Sequence, residues 1–326
     1  MINASTRPVP EEKHPLCQQR YIIPTPSIED FYAQVKRCIR FKIPGAMTFA
    51  FPRYGKTRGI MYCIGALQAD FKRMPVYEML CPKKGISSES SFFSDLLRAV
   101  HHEKPNVGNN SAKRGRLYDY LIQKGDYSDY KSVVIFFDEA QKLSINEYEW
   151  LRDIHDALDE GGIRLLTFLV GQQQLLHQKQ AFREEKQIQI IQRFMIDELK
   201  FKGIQTLDEM ATCLHNYDEA FYPADSDWSF TRFFFKKAYD NGYRMFDAAE
   251  LLWDVFRAAH DETSPASQID IPMTYFTRAV EYIFIEHQVN DAESFKVDEE
   301  ICVQAVNLSS FTQSQVELEL MSLMGE

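Results

Sequence analysis

The sequence predicts an α/β fold, a parallel sheet covered by helices, followed by a second, all-helical region. Three observations predict it. Short apolar runs rich in strand-forming residues alternate with segments of helical period as far as about Ile204. One run, Val133-Val134-Ile135-Phe136-Phe137, is apolar without a break, as suits a strand buried on both faces. Beyond Ile204 the strand signals stop and only helical patterns remain. Strands and helices alternating at this length imply right-handed crossovers in one parallel sheet.

The elements follow in order. Residues 1–20 are polar and rich in proline and charge, and read as an arm, either flexible or docked as an ordered segment. Ser27 with Asp30 three residues on is a capping-box pattern. Ile28, Phe31, Val35, Cys38 and Ile39 then recur at helical spacing until Lys42-Ile43-Pro44-Gly45 stops the helix. Residues 46–50 read as a short buried strand, 51–55 as a loop and 56–71 as a mostly apolar helix. A second strand is expected over 74–80. A helix over 88–100 turns Phe92, Phe93, Leu96 and Leu97 inward, and another lies near 111–124. After the strand at 133–137, Ser144 and Glu147 form a second capping box, and Gly161-Gly162 closes its helix. Residues 163–170 are a further strand. The helical region holds helices over 206–214, 230–239, 246–259 and 273–287, then a weakly amphipathic tail from 303. The domain boundaries expected are 1–26 for the arm, 27–204 for the α/β core, 205–302 for the helical domain and 303–326 for the tail.

Composition sets outer limits. A chain of 326 residues, 45% hydrophobic and 13% aromatic, buries a sizeable core. Its net charge of −10 argues against a protein that coats nucleic acid with its whole surface. No apolar run approaches the roughly 18 residues that span a bilayer, and the opening residues do not read as a signal peptide, so no membrane association is expected. The six cysteines are scattered without a CxxC pair and read as reduced thiols of a cytoplasmic protein. The eight histidines show no zinc spacing.

Two motifs carry chemistry. Ala50-Phe51-Pro52-Arg53-Tyr54-Gly55-Lys56-Thr57 follows GxxxxGK[ST] except that Ala50 replaces the first glycine. Gly55 lets backbone amides approach phosphate, Lys56 reaches the β- and γ-phosphates, and Thr57 coordinates Mg²⁺. Arg53, Tyr54 and Arg58 flank these residues as further nucleotide contacts. The helix starting here adds unpaired amides and its positive dipole end. The second motif is Asp138-Glu139 at the end of the buried strand, where doubly wound sheets place ligands. Asp138 would hold Mg²⁺ and Glu139 would deprotonate the attacking water. An acid directly after that aspartate points to the branch with an extra strand between the two motif-bearing strands.

On these residues the chain resembles AAA+ ATPases, and within them the TnsC/TniB/MuB group, regulators of DNA transposition. The narrower resemblance rests on size, on the run 133–143, on Val170-Gly171-Gln172 and on Gln192-Arg193-Phe194. It implies a parallel five-stranded P-loop NTPase core with a small C-terminal helical lid, binding ATP and Mg²⁺. It implies that Gln172 is a polar sensor, that Arg193 reaches the ATP of a neighbouring subunit, and that Arg244 touches the γ-phosphate from the same chain. It also implies a homo-oligomeric ring or filament on duplex DNA, linking a target-selector protein to a transposase. Lys83-Lys84 and the cluster Ser111, Lys113 and Arg114 are the candidate backbone contacts, or else solvated loop residues. Basic residues at a helix start oppose its dipole, so something must favour them there. No groove-reading motif is present, so no sequence recognition is expected. The alternatives are an ATPase that remodels or signals through proteins, and an ATP-gated scaffold with little hydrolysis.

Overall fold

Helix α1 (Pro26–Phe41) starts one residue earlier than its capping signal. Proline is pre-set for the first helical position, so Ser27 falls inside the first turn. The Ser27 Oγ accepts the backbone N–H of Lys202 at 3.2 Å instead. Phe31, Val35 and Cys38 are fully buried on one face, with the Phe31 ring 6.0 Å from Phe136. Phe31 and Val35 each contribute about 1.5–3 kcal/mol by leaving water. The computed structural model describes residues 7–263 and 267–324. The chain falls into two units: Ile28–Phe201, and the described parts of Met1–Ser27 with Lys202–Glu326.

In the first unit, β1 (Gly45–Phe49) leads through the phosphate-loop segment to α2 (Lys56–Asp70) and β2 (Val76–Leu80). Helices α3 (Glu89–Ala99) and α4 (Asn110–Asp126) precede β3 (Ser132–Asp138), all seven residues of which are buried. Helix α5 (Ile145–Glu160) opens with the expected reciprocal capping box. Ser144 N donates to Glu147 Oε2 at 2.9 Å and Glu147 N to Ser144 Oγ at 3.4 Å. Then follow β4 (Arg164–Gly171), α6 (Gln174–Glu184), α7 (Ile188–Phe194) and β5 (Asp197–Lys200). The sheet is parallel in the order β2-β3-β4-β1-β5. Strand β4 therefore lies between β1 and β3, which is the extra strand that the Asp-Glu pair predicted. Registers Leu80↔Asp138 and Phe49↔Gly171 bring the carboxyl ends of four strands to one rim.

The second unit is helical: α8 (Leu207–Glu219), α9 (Phe230–Phe234), α10 (Lys236–Asp240), α11 (Ala249–Thr263), α12 (Met273–His287), α13 (Glu299–Ser309) and α14 (Phe311–Met324). The single helix expected over 230–239 is two. The Asp291 carboxylate accepts from Lys237 N at 2.9 Å and Ala238 N at 3.1 Å, capping a fresh start after Phe235. The described part of the arm is docked. Leu16 and Ile23 lie in the unit's core, and His14 sits among the rings of Phe230, Phe233 and Phe234. Position 303 falls inside α13, whose Ala305 and Val306 face the same core, so no separate tail begins there.

Candidate nucleotide site

The phosphate loop is shaped by backbone rather than by side chains. Positive φ falls on Arg53 (72°) and Gly55 (93°) and not on Ala50. Ala50 instead continues the sheet, its N–H donating to the Gly171 carbonyl at 3.2 Å. That explains why alanine serves where the motif has glycine. Gly55 is the N-cap of α2, and the first helical bond is Gly59 N to Gly55 O, so the preceding amides face the loop without helical partners. Among the flanking residues, Arg53 is exposed at the loop tip, Tyr54 is buried with its ring 6.4 Å from Phe51, and Arg58 lies in the first turn of α2.

Lys56 is buried and donates to the carbonyls of Ala50 (3.2 Å) and Phe51 (2.8 Å). Burial pulls its ammonium below the usual lysine range, an effect that Glu139 and Asp138 oppose. A partly desolvated cation held only by carbonyls is poised for an anion. Thr57 Oγ1 donates to Asp138 Oδ2 at 2.7 Å, although the two residues are 81 apart in sequence. A hydroxyl beside a carboxylate is the oxygen donor set that Mg²⁺ uses when a phosphate completes its shell, so these residues fit that ion. Among the described residues no three His, Cys, Asp or Glu side chains group as a self-sufficient metal site.

Asp138 Oδ1 accepts from Glu139 N at 2.8 Å, and Glu139 takes a left-handed backbone (φ 57°) that turns its side chain off the strand line. Glu139 Oε2 accepts from Gln141 Nε2 (3.0 Å), Lys142 Nζ (3.2 Å) and Gln172 Nε2 (3.5 Å). Gln172 thus lies beside Glu139 at the end of β4. Gln141 was not singled out from sequence; the signal that could have found it is Gly171, where a Cβ would lie 2.3 Å from the Gln141 Oε1. Glu78 on β2 was also missed. Burial and then Asp138 raise its carboxyl above the usual range.

Arg193 lies in the last turn of α7, at the opposite end of the strands. Its carbonyl would lie 2.8 Å from a Cβ on Gly45, the first residue of β1. Five residues of strand put it about 17 Å from the phosphate loop, beyond reach of a phosphate there. Its guanidinium donates to Asp156 Oδ1 at 2.7 Å. Arg244 belongs to the helical unit. Its guanidinium carbon stands 3.6 Å over the Tyr239 ring, and it donates to the carbonyls of Tyr239 and Tyr243.

The basic clusters have partners within the fold. Lys84 is not a solvated loop cation: it pairs with Asp95 and with the buried Glu147, each at 2.9 Å. Lys113 is also buried, donating to Ser90 Oγ at 2.8 Å. Arg114 pairs with Glu89 and stands over the Phe93 ring at 5.5 Å. The first turn of α3 therefore explains the basic start of α4. Lys83 and Ser111 are exposed, with Lys83 on the loop after β2.

A phosphate loop before a helix, with Asp-Glu ending a strand one place removed, on a sheet of this order, defines the AAA+ P-loop NTPase fold. Residues 46–178 match the family model of an AAA domain, from β1 into α6. No curated protein sequence matches the chain. Among solved structures it is similar to the Aeropyrum pernix ORC2 protein, solved as ADPNP–ADP complexes. The TM-score is 0.58 at 13% identity, over 91% of this chain and 71% of that one. It is also similar to Cdc6p from Pyrobaculum aerophilum (TM-score 0.44, 12% identity, 91% and 96% covered). A third is domain III of the Thermotoga maritima replication initiation protein DnaA (TM-score 0.44, 9% identity, 90% and 95% covered). No helix among the described residues is long and apolar enough to cross a membrane, and the six cysteines are free thiols.

Proposed function

We propose that this chain is an ATP-hydrolysing regulator that assembles on duplex DNA and links a target selector to a transposase. The observation that carries the ATPase reading is the 2.7 Å contact of Thr57 with Asp138, with Lys56 and Glu139 on either side. The amides opening α2 and the Lys56 ammonium bind the phosphates, and Gly55 leaves room for their approach. Mg²⁺, held by Thr57 and Asp138, would supply neutralising charge to the phosphate oxygens. Glu139 accepts the proton of the attacking water, and Gln172 steadies that water from β4. Arg193, out of reach of its own chain's loop, serves the ATP of a neighbouring copy and makes nucleotide the tie between subunits. Arg244 serves as the second sensor of the same chain. A nucleotide complex of similar fold, that of ORC2, supports the ATP reading.

The transposition reading rests on the sequence resemblance. With Lys84, Lys113 and Arg114 engaged internally, its DNA track narrows to Lys83 and Ser111. That same observation favours a second reading, an ATPase acting on a protein partner. The test is phosphate release and electron microscopy with and without duplex DNA and a non-hydrolysable ATP analogue. DNA-stimulated release with rings or filaments around the duplex supports the first reading. Turnover indifferent to DNA, with no salt-dependent retention, supports the second.

A further inference from the structure

We infer that Gln141 is a positioning residue for hydrolysis: its side-chain amide spans the rim and sets the carboxylate of Glu139 against the end of β4. The inference rests on the proposed role of Glu139 as base.

The two ends of this amide make different bonds. Oε1 accepts the backbone N–H of Gln172 at 3.1 Å, and Nε2 donates to Glu139 Oε2 at 3.0 Å. An amide has one accepting and one donating end, so the bond to Gln172 fixes which end faces Glu139. The approach to β4 is close enough to exclude a side chain at Gly171, where a Cβ would meet Oε1 at 2.3 Å and Leu175 Cδ1 at 2.8 Å. At the level of Asp138 the neighbouring strand β2 presents no amide. Leu80 stands in register with Asp138, and the next residue, Cys81, is a buried thiol that burial pushes well up.

The other donors to Glu139 are poorer anchors. Gln172 lies at 3.5 Å, the limit of a hydrogen bond, and the Lys142 ammonium is half-exposed on a flexible stem. Glu139 itself has a left-handed backbone, so its carboxylate is not aimed by strand geometry. Gln141 therefore fixes the separation between the proposed base and the Gln172 backbone, and with it the placement of the Gln172 side chain beside Glu139. Any shift of the β4 end moves the base with it.

The test compares Gln141→Leu, Gln141→Glu and Glu139→Gln with the wild type, reading kcat, KM for ATP and affinity for a fluorescent ATP analogue. Gln141→Leu loses both bonds. Gln141→Glu keeps an acceptor for the Gln172 N–H but loses the donor to Glu139. Both are expected to lower kcat about tenfold or more, the weight of one hydrogen bond to a charged acceptor. KM and analogue affinity should change less than about twofold, because Gln141 bonds no phosphate-loop residue. In a Glu139→Gln background, Gln141→Leu should add no further loss.

If Gln141→Glu retains wild-type kcat while Gln141→Leu does not, the residue only braces β4 and the inference is overturned. It is equally overturned if both variants keep wild-type kcat or if analogue affinity falls in parallel with kcat. A wild-type protein without turnover under any condition overturns the ATPase reading and this inference together. A wild type that turns over beside unaffected Gln141 variants overturns the inference alone.

Discussion

Replacing Lys84 by alanine should damage the fold far more than it damages any nucleic-acid contact. The Lys84 ammonium lies between Asp95 and Glu147, 2.9 Å from each, with its side chain 15% exposed and that of Glu147 3% exposed. Glu147 divides its two oxygens: Oε1 takes Lys84, while Oε2 closes the capping box at the start of α5. Removing the lysine leaves a buried carboxylate with a carboxylate neighbour and no cation between them. Breaking one partner of such a buried pair costs about 3 kcal/mol at the lower end of its usual range, the end that applies with some solvent access. For a domain of this size that is roughly 6–12 °C in Tm. Differential scanning calorimetry of Lys84→Ala and Lys84→Met reads the effect, and methionine should recover part of the loss by refilling the volume without a charge. The reasoning is refuted if Lys84→Ala melts within about 1 °C of wild type while losing salt-dependent DNA retention, since that is how a solvated backbone contact behaves.

Two further outcomes follow from the same geometry. Arg193→Ala should abolish assembly-dependent turnover at a stability cost below about 1 kcal/mol, because its pairing with Asp156 is a surface one. Mixing it with Lys56→Ala subunits should restore some phosphate release, since one interface in the mixture then carries an intact Lys56 and an intact Arg193; no restoration contradicts action in trans. His14 and His155 are held neutral by burial, with values lowered to about 4 and about 3. The unfolded chain takes up these protons near pH 6.5 and the folded chain refuses them. Stability should thus be full above about pH 6.5 and fall as pH drops toward 4, and His14→Phe should flatten that fall in denaturant titrations.

Much of the fold was legible because its signals are local. The unbroken run ending in Asp138 gave β3, Ser144 with Glu147 gave the start of α5, and 273–287 matched α12 residue for residue. Strand β5 was not legible: Asp-Glu-Leu-Lys has the composition of a loop, and only pairing with β1 makes this half-exposed edge a strand. The nucleotide site was legible for a similar reason, since Gly55-Lys56-Thr57 and Asp138-Glu139 are each contiguous. Gln141 was not, because its meaning depends on Gly171 and Gln172 thirty residues on. The basic clusters misled in the same way. Lysine pairs read as solvated until tertiary structure sets Glu147, Asp95 and Ser90 beside them.

The central claim is that Glu139 is the base of an ATP-hydrolysing site built on Lys56, Thr57 and Asp138. Phosphate release by Glu139→Gln, measured beside wild type at saturating ATP and Mg²⁺ with duplex DNA present, tests it most directly. The account predicts nucleotide affinity equal to wild type and release slowed by at least about a hundredfold, the usual weight of a general base. Release at the wild-type rate from Glu139→Gln would contradict it.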